Sequence, residues 1–384
     1  MRLLHTSDWH LGRSFHRVGL LDAQAAFVDH LVDTAVAEHV DVVVVSGDIF
    51  DRALAPVDAV ALGSSALQRL LGAGLRVIMT SGNHDSAPRL GFAAGLIDMA
   101  GVHLRTDPVG VGTPVVIPDD HGDVAIYGIP YLEPDLVAIM WSLPRRSHQA
   151  ALDEAMHRVR SDLATREPGT RSVVLAHAFA TGARPSDSER DISVGGVQSV
   201  AVETFGGVDY AALGHLHGRL ALAPGVRYSG SPLAYSFSEK DHVKGSWLVE
   251  LGPRGLGTVE FVEAPVPRPL AAISGTLDEL LHDPSLVGCE QSWVQATVTD
   301  PQRPRRAMEL LQQRFPHALV LSFEPSGRQD RDAAEVRRGA VGRTDAQIVA
   351  DFFTDVAGRS ITLPEADLMQ RASDACRISG DAAS

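Results

Sequence analysis

The sequence predicts an α/β fold followed by a smaller α+β domain, and three observations support this prediction. Up to about residue 263, apolar and β-branched runs alternate with segments whose apolar residues recur at helical spacing. Five of the apolar runs end in polar residues. The chain has 384 residues, of which 45% are hydrophobic and 21% charged, so it is long enough for about two domains and too apolar to be disordered.

Each predicted strand of the first part leads into a polar cluster. In chain order, strand 1–7 precedes Asp8 and His10, strand 42–45 precedes Asp48, strand 75–80 precedes Asn83, His84 and Asp85, strand 173–176 precedes His177, and strand 210–213 precedes His215 and His217. Helices are expected over residues 22–39, with Phe27, Leu31 and Ala35 on one face, and over residues 57–71, with Val60, Leu67 and Leu71 on one face. Because ligands of open α/β sheets bind beyond the carboxyl ends of the strands, we expect the polar clusters to converge.

Past the proline-rich stretch 265–269 the pattern changes to a small α+β domain. Strands are expected at 270–274, 293–298 and 319–323, and helices from residue 277 and over 305–315. A polar connector follows, and then a helix whose apolar face is formed by Ile348, Val349, Phe352, Phe353 and Val356, with a second helix from Pro364. We therefore expect four parts: residues 1–264, a capping domain at 265–324, a flexible connector at 325–344 and a helical segment at 345–384.

Charge and cysteine content narrow the function classes. The net charge of −14 opposes nonspecific binding to nucleic acid by this chain alone, and only Lys240 and Lys244 are lysines. Cys289 and Cys376 form neither a disulfide framework nor a CxxC motif, which indicates a reducing compartment, the cytoplasm. No apolar run approaches the ~20 residues that cross a bilayer, so we expect a soluble, unprocessed chain without a membrane partner.

Carboxylate, amide and imidazole groups at five strand ends predict a metal site. Oxygen and nitrogen donors without thiolates suit Mn²⁺, Fe²⁺ or Zn²⁺, and donor type alone does not distinguish these metals. Two ions are favoured over one, because seven candidate ligands exceed the need of one tetrahedral ion. Two ions roughly 3.5–4 Å apart can share a carboxylate and hold the attacking and leaving oxygens of a phosphate. A single histidine after a strand, such as His177, is more often a core residue than a ligand.

The motifs in this order resemble the calcineurin-like metallophosphoesterases. They are D-x-H at 8–10, GD at 47–48, GNHD at 82–85, the lone His177 and GHxH at 214–217. Five segments further resemble the SbcD family, the nuclease subunits of bacterial SbcCD complexes. They are 5–12, 47–51, 188–192, 212–217 and 227–232. The resemblance covers nearly the whole chain and implies a four-layer sandwich, in which helices flank two central mixed β-sheets, with a cap and a C-terminal helical tail.

This resemblance also implies roles for individual residues. One ion would be bound by Asp8, His10, Asp48 and His217, and the other by Asp48, Asn83, His177 and His215, with Asp48 as the bridge. His84 would stabilise charge on phosphorus or protonate the departing oxygen, and Asp85 would orient His84. The expected metal is Mn²⁺. Four residues that follow these motifs could contact phosphates, namely Arg13, His16, Arg17 and Arg89. The role of Asp51 stays open. The segment 188–192 could be a substrate loop or a structural lid.

The implied function is that of a metal-dependent DNA nuclease in DNA end processing, repair and recombination. It would be a 3′–5′ exonuclease on duplex ends and an endonuclease on hairpins and single strands, acting with SbcC, a coiled-coil ATPase. The helix 348–356 would dock on SbcC, although an apolar stripe can equally pack on its own domain. A homodimer would form through helices around 57–71 and 90–99, whose apolar residues could equally face the core.

Two alternative functions fit the same motifs. The same site could act on small substrates such as cyclic nucleotides, but such an enzyme needs neither a second domain nor a helical tail. The chain could also be a structural adaptor for the ATPase with a vestigial site, but the ligand set is intact.

Overall fold

A computed structural model describes residues 1–182, 185–190, 192, 199–326, 344, 347–348, 350–351, 353 and 359–381. The chain divides into two compact units, Met1–Glu324 and Pro325–Ser384. Within the described residues of the first unit the helices are α1 Leu21–Ala37, α2 Val57–Gly72, α3 Ala87–Leu90, α4 Ala94–Asp98, α5 Pro134–Met140, α6 His148–Leu163, α7 Leu277–His282 and α8 Ala307–Arg314. The second unit contains α9 Leu363–Asp381.

The described strands all belong to the first unit. They are β1 Arg2–Thr6, β2 Ser14–Phe15, β3 Val18–Gly19, β4 Val42–Ser46, β5 Arg76–Thr80, β6 Val102–Arg105, β7 Val115–Asp119, β8 Gly122–Ile129, β9 Arg171–His177, β10 Tyr210–Gly214, β11 Leu220–Ala223, β12 Val226–Tyr228, β13 Gly245–Gly252, β14 Gly255–Glu263, β15 Leu270–Gly275, β16 Trp293–Val298 and β17 Ala318–Phe323. The five predicted strands of the first part correspond to β1, β4, β5, β9 and β10.

Two six-stranded mixed sheets form the centre of this unit. Their strand orders are β14-β13-β1-β4-β5-β6 and β11-β12-β10-β9-β8-β7. In the first sheet β1, β4, β5 and β6 pair in parallel, and β13 and β14 are antiparallel at one edge. In the second sheet β12, β10, β9 and β8 pair in parallel, and β11 and β7 are antiparallel at the two edges. Parallel pairing brings the carboxyl ends of β1, β4 and β5 to one edge of the first sheet, and those of β9 and β10 to one edge of the second.

Three apolar cores separate four layers of secondary structure. Between the two sheets lie fully buried residues that include Leu3, Val44, Ile126 and Leu175. The outer face of the first sheet packs on α1 and α2, and the outer face of the second sheet packs on α5 and α6. The predicted four-layer α/β sandwich is therefore confirmed.

The predicted helical faces are right for α1 and shifted for α2. Phe27, Leu31 and Ala35 of α1 are buried, as the spacing predicts. In α2, however, the buried residues are Ala59, Gly63, Ala66 and Leu70, and the predicted Val60 is 49% exposed. Small residues form this face because α2 lies close to the loops after β1 and β4, where a Cβ added at Gly63 would lie 3.4 Å from the side chains of Leu11 and Phe50.

The small α+β region has its predicted strands and helices. β15, β16 and β17 form a three-stranded parallel sheet, which packs on α7 and α8 around a core of its own. A capping box between Thr276 and Glu279 begins α7, since each side chain accepts a hydrogen bond from the other residue's backbone N–H. Trp293 stacks on Phe15 of the sandwich at a ring distance of 5.1 Å. The boundary between residues 264 and 265 stays a prediction, because sandwich and small region belong to one compact unit.

In the second unit the predicted helix near Pro364 is α9. Of the predicted helix 348–356, residues 348, 350, 351 and 353 are helical, whereas Val349, Phe352 and Val356 lie outside the described residues. Most of the predicted connector, residues 327–343, also lies outside them. None of the helices in the described part of the chain is both long and apolar enough to cross a membrane.

Candidate metal centre

The polar clusters that follow the strands meet in one place. Atoms able to bind a metal lie within 4.8 Å of one another in three groups: Asp8, His10 and His217; Asp8, Asp48 and His177; and His10, Asp48 and His84. Asn83 and His215 join them through His177, as described below. The structure thus brings together all seven predicted ligands and His84, from loops that are separated by up to about two hundred residues in the chain.

The Asp48 carboxylate lies at the middle of this cluster. Its Oδ2 is 3.5 Å from His10 Nε2 and also 3.5 Å from His177 Nε2. Its Oδ1 accepts a hydrogen bond of 2.8 Å from the backbone N–H of His84. One carboxylate oxygen thus faces imidazoles from both sheets, which is the position of a ligand shared by two ions.

The first group of ligands surrounds Asp8. Both Asp8 oxygens accept from the backbone N–H of His215, at 3.0 and 3.2 Å, and Oδ2 also accepts from the Ser7 hydroxyl at 2.5 Å. Burial and the neighbouring Asp48 carboxylate raise the pKa of Asp8 well above its usual range. The Nε2 atoms of His10 and His217 face each other at 3.1 Å. A cation between these groups would relieve the repulsion of the two carboxylates.

The second group surrounds Asn83. His177 donates its Nδ1–H to the Ser46 carbonyl at 2.9 Å. In the neutral ring Nε2 then carries no proton, and its lone pair is free to bind a metal. That Nε2 is 2.8 Å from Asn83 Oδ1, and His215 Nδ1 is 3.2 Å from the same oxygen. Burial lowers the pKa of His177, so the ring is neutral. The lone pairs of His177 Nε2 and Asn83 Oδ1 repel each other at this distance unless a cation lies between them.

These residues fit divalent metal ions. Burial, followed by neighbouring imidazoles, lowers the pKa values of His10 and His215 well below the usual range, and neutral imidazole is the form that binds metals. Within the described residues, His10 Nδ1 and Asn83 Nδ2 are buried without a hydrogen-bonding partner. Oxygen and imidazole ligands without sulfur suit Mn²⁺, Fe²⁺ or Zn²⁺.

Four of the seven candidate ligands have a left-handed backbone. The φ angles are 53° at Asp8, 45° at His10, 50° at Asp48 and 104° at His215. Each such residue costs on the order of 1–3 kcal/mol unless its surroundings hold it in place. Backbone hydrogen bonds between the two loops do so, from the Asp8 N–H to Gly47 at 3.1 Å and from the His10 N–H to Asp48 at 3.0 Å. The loops after β1 and β4 therefore hold each other in the conformation that turns these side chains inward.

Glycine is required where the loops approach most closely. A Cβ at Gly82 would lie 2.1 Å from Asp48 Oδ1 and 2.4 Å from Asp48 N. Gly47 has a φ of 82°, and a Cβ there would lie 2.4 Å from His177 Nδ1. Asp48 at the first position and the His177 ring at the second thus occupy the space that a side chain would need.

His84 is placed differently from the prediction that Asp85 orients it. The His84 Nδ1–H donates to the backbone carbonyl of Asp51 at 2.7 Å, and the ring lies edge-on to His10 with centroids 4.6 Å apart. Asp85 instead accepts from the backbone N–H groups of Ile49, Phe50 and Gly82, at 2.9–3.1 Å. The prediction that Asp85 orients His84 is therefore wrong, because the Asp85 carboxylate binds three backbone amides of the loops after β4 and β5 instead.

Those three amides give Asp85 a role in holding the loops together. Burial and the Asp48 carboxylate raise the pKa of Asp85 to about 7, and the hydrogen bonds from the amides oppose that rise. The carboxylate connects the loop that carries Asp48 to the loop that carries Asn83.

Other residues considered from sequence lie around this cluster rather than in it. His5 is fully buried, with ring nitrogens 2.9 Å from the Tyr210 hydroxyl and 3.2 Å from the Leu213 carbonyl, and burial lowers its pKa to about 3. Arg13 donates to the Ser188 carbonyl at 2.8 Å, and Asp51 Oδ1 is 3.9 Å from His10 Nδ1. His16 packs against the rings of Phe15 and Phe237. Arg89 is exposed in the last turn of the short helix α3.

Sequence reasoning missed several buried residues that support the site. Gln24 of α1 donates to the His10 carbonyl at 2.8 Å and accepts from the Gly12 N–H at 3.0 Å, and the Tyr235 hydroxyl donates to the Trp9 carbonyl at 2.5 Å. A signal for Gln24 exists in the sequence, since it is a polar residue on the apolar face of α1. Lys244 is buried beside His217, and its signal is that the chain has only two lysines.

Comparison with known proteins identifies relatives of both parts of the chain. The calcineurin-like phosphoesterase family matches residues 1–219, and the type 5 capsule protein repressor C-terminal domain matches residues 266–357. The chain is similar to the SbcD subunit of the SbcCD nuclease of Staphylococcus saprophyticus, with 27% identity over 380 residues, which is 97% of each chain.

Solved structures with some similarity to this chain include the following two. The protein TT1561 of Thermus thermophilus is 14% identical with a TM-score of 0.40, covering 68% of this chain and 98% of its own. A dimetal phosphatase from Danio rerio is 14% identical with a TM-score of 0.38, covering 69% and 99%. At these TM-scores neither likeness bears on the function.

The close approach at Gly82 gives a direct test of the site. We expect Gly82→Ala to push the Asp48 carboxylate out of place and to weaken binding of divalent metal by roughly 10- to 100-fold, as for other changes that reorient a ligand. Gly72→Ala is the matched control, because its Cβ would meet nothing within 4 Å at the end of α2. Calorimetric titration of the metal-stripped chain with Mn²⁺ measures both, and equal affinities for the two variants would contradict the geometry of the site.

Proposed function

This chain belongs to the calcineurin-like phosphoesterases, and on that premise we propose that it is a metal-dependent DNA nuclease that works with an SbcC-type ATPase. The family match spans more than half of the chain and confirms the superfamily resemblance drawn from the motifs. The enzyme is a hydrolase that cleaves phosphate esters with divalent metal ions. The observation that carries the proposal is the position of Asp48, whose Oδ2 lies 3.5 Å from imidazoles of both sheets.

The proposed ligand sets follow the two groups of residues. Asp8, His10, Asp48 and His217 would hold one ion, and Asp48, Asn83, His177 and His215 the other. Mn²⁺ is the proposed activator, since both sets consist of oxygen and imidazole donors. Bound there, the two ions would supply positive charge that lowers the pKa of water and neutralises the phosphate.

His84 would act on the departing oxygen. Because its Nδ1–H is donated to the Asp51 carbonyl, the neutral ring has a lone pair at Nε2, and only the charged ring has a proton there. A charged His84 could therefore stabilise the pentacoordinate phosphorus and deliver its Nε2 proton to the oxygen that leaves as the P–O bond breaks. The ring would keep its orientation throughout, because the bond to Asp51 does not change.

Two findings outside the site support DNA as the substrate. The curated relative is a nuclease subunit, and the similarity includes the small α+β region and the C-terminal segment. The chain has a net charge of −14, which fits a subunit that needs a partner to hold DNA. The proposed activity is 3′–5′ exonuclease cleavage of duplex ends and endonuclease cleavage of hairpins and single strands, in DNA end processing, repair and recombination in the cytoplasm.

The domain division completes the proposal. Residues 1–264 would be the nuclease domain, 265–324 the cap, 325–344 a connector and 345–384 the segment that docks on the ATPase. An amphipathic helix fits a groove of a partner protein.

Cleavage assays test the substrate and the role of His84 together. With Mn²⁺ and the ATPase partner, we expect cleavage of linear duplex and hairpin DNA and none of cyclic nucleotides. His84→Gln should bind two ions but lose at least ~100-fold in rate, as expected for removal of an acid catalyst, whereas Asp48→Asn should lose both metal and cleavage. Cleavage of cyclic nucleotides alone would assign the chain to a small-substrate phosphodiesterase, and His84→Gln cleavage at the wild-type rate would refute the role of His84.

A truncation tests the docking segment. A chain that ends at Thr344 should no longer be retained by immobilised SbcC, while its Mn²⁺-dependent hydrolysis of bis-p-nitrophenyl phosphate should equal that of the full chain, because the proposed ligands all lie in the first unit. Retention of the truncated chain would place the docking surface elsewhere.

We also propose a homodimer formed by α2, α4 and the loops beside them. Large apolar side chains are exposed there, with Val57 at 83%, Phe92 at 80%, Leu96 at 75% and Met99 at 87%. Apolar exposure of this kind on neighbouring segments is typical of protein–protein contacts.

Sedimentation of the chain alone tests the dimer. We expect a dimer for the wild type and a monomer for the double variant Phe92→Glu/Met99→Glu, because a carboxylate in an apolar interface loses its hydration. Leu136→Glu is the matched control, since Leu136 is 66% exposed on α5, away from α2 and α4. A monomeric wild type, or a dimer in all three proteins, would exclude this interface.

A further inference from the structure

His217 is held by more hydrogen bonds than its place among the ligands requires. Its backbone N–H donates to Glu189 Oε1 at 2.7 Å, and its carbonyl accepts from Lys244 Nζ at 2.8 Å. Its ring nitrogen Nδ1 is 2.5 Å from the Ser188 hydroxyl. The segment around Ser188 and the segment around Lys244 thus hold the same residue from two sides.

The donors and acceptors in this network have one consistent order. The Ser188 hydroxyl is also 2.5 Å from Glu239 Oε1, and a carboxylate can only accept, so the hydroxyl proton goes to Glu239. Ser188 Oγ must then accept from His217, which requires a proton on Nδ1. In the neutral His217 ring, Nε2 consequently carries a lone pair and no proton. This Nε2 is the atom that faces His10.

Lys244 completes the network and accounts for the buried charge. Glu239 and Lys244 are 1% and 6% exposed, and Lys244 Nζ donates to Glu239 Oε2 at 2.5 Å and to Ser231 Oγ at 3.0 Å. Burial opposes ionisation of Glu239, but the Lys244 ammonium lowers its pKa well below the usual range. An ionised Glu239 is the strongest acceptor available to the Ser188 hydroxyl.

We propose that Ser188, Glu239 and Lys244 are positioning residues that set the tautomer and direction of His217 and thereby the metal affinity of the site that contains Asp8, His10 and His217. This inference rests on the proposed metal site. The arrangement is a carboxylate–histidine–metal unit with a serine inserted between carboxylate and imidazole. It assigns Ser188, which is 9% exposed, a structural role rather than contact with substrate.

Metal titration of the full-length chain tests the network apart from catalysis. The wild type, stripped of metal, should bind two Mn²⁺ per chain. Ser188→Ala should bind Mn²⁺ about 10- to 100-fold more weakly at one of the two sites and normally at the other, as is typical when a partner of a metal-bound histidine is removed. Ser188→Thr retains the hydroxyl and should restore the affinity. Lys244→Met should have the same effect as Ser188→Ala, whereas Lys240→Met changes an exposed lysine and should have none.

A spectroscopic measurement keeps the proposal testable should a variant fail to fold. The ¹⁵N shifts of His217 in the metal-free wild type should show a protonated Nδ1 and a bare Nε2. The opposite tautomer would overturn the proposal, and so would a folded Ser188→Ala chain that binds both ions with wild-type affinity. Failure of the wild type itself to bind Mn²⁺ would instead remove the proposed function, so the two failures are distinguishable.

Discussion

The structure is organised around two carboxylates, Asp8 and Asp48, that are buried beside each other among neutral imidazoles. Each is at most 2% exposed, and burial together with the repulsion from Asp48 raises the pKa of Asp8. Compensating positive charge stabilises such a cluster, because the hydrogen bonds that Asp8 and Asp48 accept leave their mutual repulsion in place. Divalent ions supply that charge, so the same feature that would destabilise the metal-free fold creates the affinity for metal.

The sandwich provides the rigidity that this cluster needs. In the first sheet Thr6 pairs with Val45, and in the second Gly214 pairs with His177, so neighbouring strands end at the same level. The loops that follow can then hydrogen-bond to each other, as Asp8 does with Gly47. The left-handed residues in these loops are stabilised by these hydrogen bonds between the loops rather than by their own conformational preference.

The chemistry of the site and its choice of substrate depend on different parts of the chain. A pair of metal groups around Asp48 would serve many phosphate esters, since a fold and its ligands do not by themselves select a substrate. Selection of DNA would depend on the cap, the C-terminal segment and the ATPase partner. The network behind His217 belongs to the chemistry of the site, because it acts on a proposed metal ligand.

The amino-acid sequence alone determined the α/β class, the strands that precede each polar cluster and the residues proposed to bind metal. It could do so because apolar periodicity and the position of polar residues at strand ends are local properties. Only the tertiary structure decided that His84 is oriented by the Asp51 carbonyl, that Asp85 binds three amides instead, and that Ser188, Glu239 and Lys244 support His217. It also decided which face of α2 is buried. The contacts around His217 join residues 27 to 51 positions apart, and those of His84 and Asp85 involve backbone groups that every residue possesses, so no pattern in the sequence distinguishes them.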